Sequence, residues 1–525
     1  MEKTLSTLIF LLIYVAGFLS ISGFGKLILI KNNFGSRENF FEFGIYGFLL
    51  LLILSYFIQF ILGGSYLVNI LIFVTGLALY FLFKSKKNKI KTHFIFLFLL
   101  VFFVGLLISK THEDFNFYHY FSIKELFENN LRIGVDNLNT RFFYSSLFIY
   151  NQILYVIPFL NFKLVHIPIF YLYICSIGYF LFNIYKIKNN DQNLYSIFCI
   201  LILIVKFTRL SEFGYDYAAQ FLLLIVFHKI FFFSDNMEEF KKAILIFILS
   251  VLLRPISLFF FPIFLYLIKN RNIIKINKLG ILWISILSAA IIIILSSSFL
   301  RTGCIFYPIT NTCFDEKKVF WSQKNYIEDH SNEIKNWAKG FYHQENTKFT
   351  KINDPKLFSS KFNWFKYWIE LHFFYKIFEF LIILVLSFLI TYIYFQKEKL
   401  SSNQKLFSRN LYFLFLSLIS LIFWLSTLPQ FRFGFGIIMI VIYLFLKLIF
   451  KRSIIFNIKK FNILLIIILI FFNLKNFNRI NSEISRNDLY RFDNFPYYTE
   501  QKIEIDKKNI TINKFLIFEI INKSE

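Results

Sequence analysis

Residues 243–268 read AILIFILSVLLRPISLFFFPIFLYLI, an apolar run whose one charged residue is Arg254. The run is longer than the about 20 residues a helix needs to cross bilayer hydrocarbon. Yet both flanks, Lys241-Lys242 and Lys269 to Lys278, are basic, and basic flanks mark the cytoplasmic side. One crossing cannot leave both ends on one side. Proline removes a helix hydrogen bond and forces the residue before it out of the helical region. The spacing therefore predicts two half-length helices that meet at Arg254-Pro255 near the outer face, with both far ends cytoplasmic. The alternative is a proline-kinked crossing with one basic loop on the unexpected side. A break at membrane depth persists only where it lines a protein cavity, so the dipeptide also marks a candidate site.

The rest of the chain has the same character. Hydrophobic residues make up 57% of the 525, with mean hydropathy +0.59, more apolar surface than a soluble core can absorb. Backbone groups in lipid must bond within their own segment, so the apolar runs are helices. The expected fold is an all-α polytopic membrane protein of roughly 12–14 membrane helices, with a long external loop and a small external C-terminal tail. The 77 Phe residues are read mainly as lipid-facing filler. The +25 net charge is concentrated between apolar runs, at Lys84 to Lys91, Lys186 to Lys188, Lys269 to Lys278, Lys397 to Lys405 and Lys451 to Lys460. These loops are expected on the cytoplasmic side of a cell membrane, most simply a bacterial cytoplasmic membrane. The partner is the lipid bilayer, and no nucleic acid is expected.

Between the basic loops fall the segments expected outside: 110–161, 208–217, 301–372, 428–436 and the chain after Asn473. The organisation predicted is an N-terminal helix group over 1–91, a membrane core over 92–475 with external loops 110–161 and 301–372, and an external tail over 476–525. In that tail, Ile503 to Ile505 and Ile510 to Ile512 alternate as short strands do. The first run, Leu5 to Ile21, lacks the flank and the small-residue site of a cleaved signal and is read as a retained helix. Four Cys without clustered spacing imply no metal framework.

Candidate chemistry sits in the external segments. Thr111-His112-Glu113-Asp114 is followed by His119 where a helix leaves the membrane. A carboxylate desolvated there gains proton affinity and can serve as a general base; the plain alternative is a solvated, aromatic-anchored loop. Arg209, Glu212 and Asp216 form the next outer turn, either pairing among themselves or orienting a substrate. Arg301 opens the long loop and Arg432 follows Pro429-Gln430. With Arg254 they supply guanidinium forks suited to phosphate oxygens, although a lone Arg at a helix end more often snorkels to headgroups. Cys304 and Cys313 could close a short disulfide on an oxidising side or remain free thiols. Trp321 and Trp337 fit an interfacial helix or a sugar-stacking surface.

Two resemblances follow from these motifs. The acidic pair Glu113-Asp114 in the first long external loop, with Leu252-Leu253-Arg254-Pro255 between two short helices, resembles the GT-C superfamily of polytopic glycosyltransferases. The combination His112-Glu113-Asp114-Phe115, Thr302-Gly303-Cys304, Tyr307-Pro308 and Cys313-Phe314 is similar to a family of bacterial multi-spanning membrane proteins of unassigned activity. The chain departs from better-known GT-C enzymes in the roughly three spans before the acidic loop and in lacking a clear second acidic motif for a metal. The GT-C resemblance implies sugar transfer from a polyprenyl-phosphate-linked donor to a cell-envelope glycan, lipid or protein at the outer face. It implies Asp114 as base, with Glu113 and His112 as alternates or orienting groups. Arg254, Arg432 and Arg209 would stabilise the departing phosphate, and Glu212, Asp216, Arg301, Tyr307 and His119 would complete the substrate site. No further cofactor and no metal is expected. An O-antigen-type polymerase or ligase uses the same chemistry, and a lipid or solute transporter would use the broken helix as its substrate site.

Overall fold

The structure is a computed structural model that describes residues 2–31, 39–83, 92–107, 118–129, 132–139, 141–142, 146–186, 189–207, 214–233, 236–266, 281–400, 404–450, 452–485, 510–515 and 518–523. It is an all-α polytopic membrane protein. The helices in chain order are α1 (Glu2–Lys31), α2 (Phe40–Leu62), α3 (Tyr66–Leu82), α4 (Thr92–Phe103), α5 (Tyr120–Glu128), α6 (Ile149–Ile153), α7 (Ile167–Lys186), α8 (Asn190–Lys206), α9 (Tyr215–Phe232) and α10 (Met237–Leu253). They continue as α11 (Ile281–Thr302), α12 (Lys324–Lys339), α13 (Pro355–Ser359), α14 (Phe365–Tyr394), α15 (Gln404–Thr427), α16 (Phe431–Ile449) and α17 (Ile458–Ser485). Among the described residues, eight helical segments are long and apolar enough to cross a membrane, and three shorter apolar helices accompany them. Two small antiparallel pairs complete the inventory: β1 (Gln396–Leu400) with β2 (Arg452–Ile454), and β3 (Ile510–Phe515) with β4 (Phe518–Lys523). In the tail, the strand at Ile510 thus pairs with the residues after it, while Ile503 to Ile505 lie outside the described residues.

Helix α7 is buried along its whole crossing, whereas α11 and α15 present most of theirs outward. The main apolar core runs from Phe10 to Phe472. The N-terminal helices share it: Tyr14 stacks on Tyr171 with ring centroids 5.4 Å apart, and Asn39 Nδ2 donates to the Tyr179 carbonyl at 3.1 Å. Helices α1 and α3 approach so closely that a Cβ on Gly23 would fall 2.0 Å from the Gly76 carbonyl oxygen.

Three helices that begin on the basic-loop face use the same start signal. Asn39, Asn189 and Asn236 each accept a bond from the first-turn backbone, and Glu42, Asp191 and Glu238-Glu239 follow. The side-chain oxygen satisfies an orphan donor and the acid meets the positive helix end. On that face four charges are buried together. Lys229 Nζ lies 2.7 Å from Glu42 and 2.6 Å from Glu239, and Lys242 Nζ lies 2.9 Å from Glu239. Helices α2, α9 and α10 are thereby tied at one end.

The Arg254-Pro255 break forms a hairpin. Helix α10 stops at Leu253, Arg254 is extended at φ −149° and ψ 117°, and a 3-10 segment runs over Pro255–Phe264. Pro255 opens that segment and Pro262 lies inside it. The two arms run back along each other: Ser250 Oγ is 2.8 Å from Ser257 Oγ, and the Phe247 and Phe264 rings are 4.8 Å apart. A kinked crossing would carry Phe264 away from Phe247. The half-length expectation needs correction, because α10 starts at Met237 and spans about 25 Å at 1.5 Å per residue. Lys242, read as part of a basic flank, is inside the helix and neutralised by Glu239. The return arm covers about 20 Å at 2.0 Å per residue.

Glu42→Gln leaves Lys229 and Lys242 with one carboxylate between them. We expect a loss of stability on the order of 3–5 kcal/mol, read as a lower unfolding midpoint in detergent, and partial recovery in Glu42→Gln/Lys229→Met. In the hairpin, single cysteines at Glu238 and Leu265 should react with an impermeant maleimide from one and the same side. Labelling from opposite sides would mean a single crossing.

Candidate functional site

The hairpin tip brings Arg254 to the face opposite the basic loops, where α9 and α16 begin. Arg254 is held there because the residue before a proline is extended, which turns its side chain out of the α10 helix. Asp216 stands in the first turn of α9 and meets two cations. Arg254 Nε lies 2.5 Å from its Oδ1, and Arg432 Nε lies 3.3 Å from its Oδ2. One carboxylate therefore meets two guanidinium groups among the described residues. Arg432 is 41% exposed while Arg254 is 17% exposed, so Arg432 is the more accessible guanidinium.

Aromatic rings surround this trio. The Arg254 guanidinium carbon is 5.6 Å from the Tyr215 ring centroid, and His119 packs edge-on against Tyr215 at 5.2 Å. Tyr215 donates its hydroxyl proton to Gln152 Oε1. Arg432 lies 5.3 Å from the Trp337 ring of α12. The loop before Arg432 is fixed from three directions: Trp368 donates to the Pro429 carbonyl at 2.6 Å, Trp424 to the Gln430 carbonyl at 2.9 Å, and Gln430 to the Ala338 carbonyl at 3.1 Å. His372, inside a π-helical stretch of α14 over Ile369–Ile377, approaches Gln430 at 3.3 Å.

Arg301 does not join the Arg254 trio. Its Nε and Nη2 lie 3.0 and 2.8 Å from Asp136 Oδ1, and it also donates to the Phe142 carbonyl. The expectation of several arginines sharing one cavity is thus corrected: Arg301 already has a buried counter-ion and anchors the 132–142 loop to the end of α11. Burial pushes the Asp136 carboxyl above its ordinary range, and Arg301 pulls it back. Tyr307 belongs to this second cluster, its phenol interacting with Asp136 and Arg301 and its proton affinity raised mainly by burial. Its backbone N–H donates to Ser298 Oγ at 2.8 Å. Tyr118, Val135 and Phe142 form a small apolar cluster beside Asp136, and Tyr118 also interacts with Arg254. The two ion-pair clusters thus flank one tyrosine.

Cys304 and Cys313 are joined in a disulfide on this same face. No group of three or more His, Cys, Asp or Glu side chains able to hold a metal ion occurs among the described residues. His112, Glu113, Asp114, Arg209 and Glu212 lie outside the described residues.

Comparison with known proteins adds one finding. The profile of a family described as a domain of unknown function, DUF8201, matches residues 5–439. The chain belongs to the DUF8201 family. The DUF8201 match takes in Asp216, Arg254, Arg301 and Arg432, both disulfide cysteines and the four buried charges around Lys229. It stops within α16, so α17 and the β3–β4 pair lie beyond the DUF8201 region. No curated protein and no solved structure matches the chain.

Sequence reasoning missed Asp136, Tyr118, Tyr215 and Gln152. Asp136 had a signal, since Gly134-Val135-Asp136-Asn137 is a polar turn among Phe-rich residues. The others are aromatics and amides of common types, and only their neighbours distinguish them. Asp136→Asn leaves Arg301 buried opposite a neutral group. We expect a loss of roughly 3 kcal/mol, seen as a lower thermal midpoint. Asp136→Asn/Arg301→Met should recover part of it.

Proposed function

We propose that the chain is a membrane glycosyltransferase, moving a sugar from a polyprenyl-phosphate donor to an acceptor hydroxyl of a cell-envelope glycan, lipid or protein. The observation that carries this reading is the cationic trio at the hairpin tip. A carboxylate-bridged pair of guanidiniums with one largely exposed member suits a phosphate leaving group, whose charge grows in the transition state. Arg432, more exposed than Arg254, makes the first contact, and Arg254 is held behind it by Asp216.

In the proposed step the acceptor oxygen attacks the anomeric carbon and the carbon–oxygen bond to phosphate breaks. The electron pair leaves with the polyprenyl phosphate toward the arginines. The acceptor proton goes to the Asp114 carboxylate, with Glu113 and His112 as alternates or orienting groups. Asp114 stands four residues before Tyr118 in sequence, so the chain between their Cα atoms spans at most about 14 Å. The proposed step needs the acidic motif within that reach of Tyr118 to meet the trio, and Asp114 itself lies outside the described residues. The disulfide on the same face supports an oxidising, extracytoplasmic side, at the outer surface of a bacterial cytoplasmic membrane.

A transporter is the second reading, and the buried charges of Glu42, Lys229, Glu239 and Lys242 favour it, because intramembrane ionisable residues often mark ion or substrate pathways. Their two positive and two negative groups close on one another, which suits a structural tie between helices equally well.

Asp114→Asn should reduce sugar incorporation into surface glycan by about 10²–10⁴-fold, the contribution of a lost general base. Arg432→Gln should cost about 10²–10³-fold. Protein abundance should stay constant in both, measured by immunoblot beside the glycan profile. An unaltered profile in both variants, with solute uptake by the wild-type chain in proteoliposomes, would replace this reading with transport.

A further inference from the structure

The segment from α12 to the start of α14 carries a charge pattern that the proposed reaction does not use. Residues 334–366 hold seven lysines and two carboxylates, Glu345 and Asp354. Long loops cross membranes largely regardless of charge, so the excess is not a topology signal. Some lysines of the loop are paired, Lys324 with Asp315 at 3.0 Å and, within the segment, Lys351 with Glu345 at 3.1 Å. Among the described residues Lys335, Lys339, Lys348 and Lys366 have no carboxylate partner within ion-pair distance. Three of them, Lys339, Lys348 and Lys366, rest on aromatic rings instead, and Lys335 is exposed. Lys339 Nζ is 5.2 Å from the Trp364 centroid, Lys366 Nζ is 5.0 Å from Phe349 and 5.1 Å from Tyr367, and Lys348 Nζ is 5.7 Å from Phe349.

Lys366 and the rings beneath it stand at the start of a candidate membrane-crossing helix. Trp364 packs on Trp368 at 6.3 Å and Phe349 on Tyr367 at 5.5 Å, and α14, which carries Tyr367 and Trp368, continues into a membrane-crossing segment. Beside the lysines, Phe362, Phe374 and Tyr375 are exposed. Trp364, Tyr367 and Trp368 are buried in the protein and support the lysine stems, while exposed aromatics and lysine ammonium groups at a helix mouth suit the headgroup layer. Lys335 and Lys339 are one turn apart on α12. Partial burial, with a smaller contribution from the Lys335 charge, lowers the proton affinity of Lys339, and a bound anion would relieve the repulsion.

We propose that the Lys335–Lys339–Lys366 strip is a binding site for the phosphate headgroups of anionic phospholipids in the leaflet beneath the 303–364 loop. The site holds that loop, and with it Trp337 over Arg432, in register with the membrane surface. It stands independently of the sugar-transfer reading, because it uses neither the arginine trio nor the acidic motif.

The test is native mass spectrometry of the full chain released from nanodiscs of phosphatidylcholine mixed with phosphatidylglycerol. Wild type is compared with Lys335→Gln/Lys339→Gln/Lys366→Gln and with the matching Lys→Arg triple variant. Preferential retention of phosphatidylglycerol should fall by roughly fivefold per lysine removed in the Gln variant and persist in the Arg variant, which keeps the charge. Equal retention by wild type and the Gln variant would overturn the proposal. So would a wild type that ignores phosphatidylglycerol nanodiscs yet binds a soluble polyanion such as heparin through the same lysines.

Discussion

A charge held away from water must meet its opposite or be expelled, and that requirement organises both ends of the helix bundle. Desolvating an ion costs several kcal/mol, and the cost is recovered only by a close, well-placed partner. On the basic-loop face, Glu42, Glu239, Lys229 and Lys242 satisfy it by closing on one another among α2, α9 and α10. On the opposite face Asp216 satisfies it for Arg254 and Arg432 together. Helices α9 and α10 take part in both sets, so the two networks fix that pair at its two ends. The hairpin tip is placed by consequence.

This arrangement explains why a site can sit at a proline break. A break exposes backbone groups and turns a side chain out of its helix, which lipid would not tolerate. Here the break is covered: Ser250 and Ser257 bond across the two arms, and Ser250 also donates to the Ala219 carbonyl of α9 at 2.9 Å. Arg254 is then free of helix geometry while remaining held by protein. The loop that carries Trp337 closes over the same region, anchored through Gln430 to Ala338 and, on our proposal, through its lysines to the lipid surface.

The asymmetry between the two arginine clusters carries a chemical distinction. Arg301 is matched one-to-one with Asp136 in a buried site, which neutralises it and suits an anchor. Arg254 and Arg432 share one carboxylate among the described residues, and Arg432 is the more exposed of the two. Equal residue types in similar loops thus stand in different surroundings.

The amino-acid sequence by itself determined the all-helical, many-crossing character, because apolar run length and the bilayer's demand for internal backbone bonding leave no other choice. It also marked Arg254-Pro255 as a turning point, since proline geometry and basic flanks are local properties. It misjudged Lys242, whose charge reads as a cytoplasmic flank until Glu239 is seen three residues away on the same helix face. The tertiary structure alone decided which arginines act together. Arg301 and Arg432 look alike in sequence, and only the positions of Asp136 and Asp216 separate them. Pairing between residues more than a hundred positions apart depends on how helices stack, and no spacing along the chain records that.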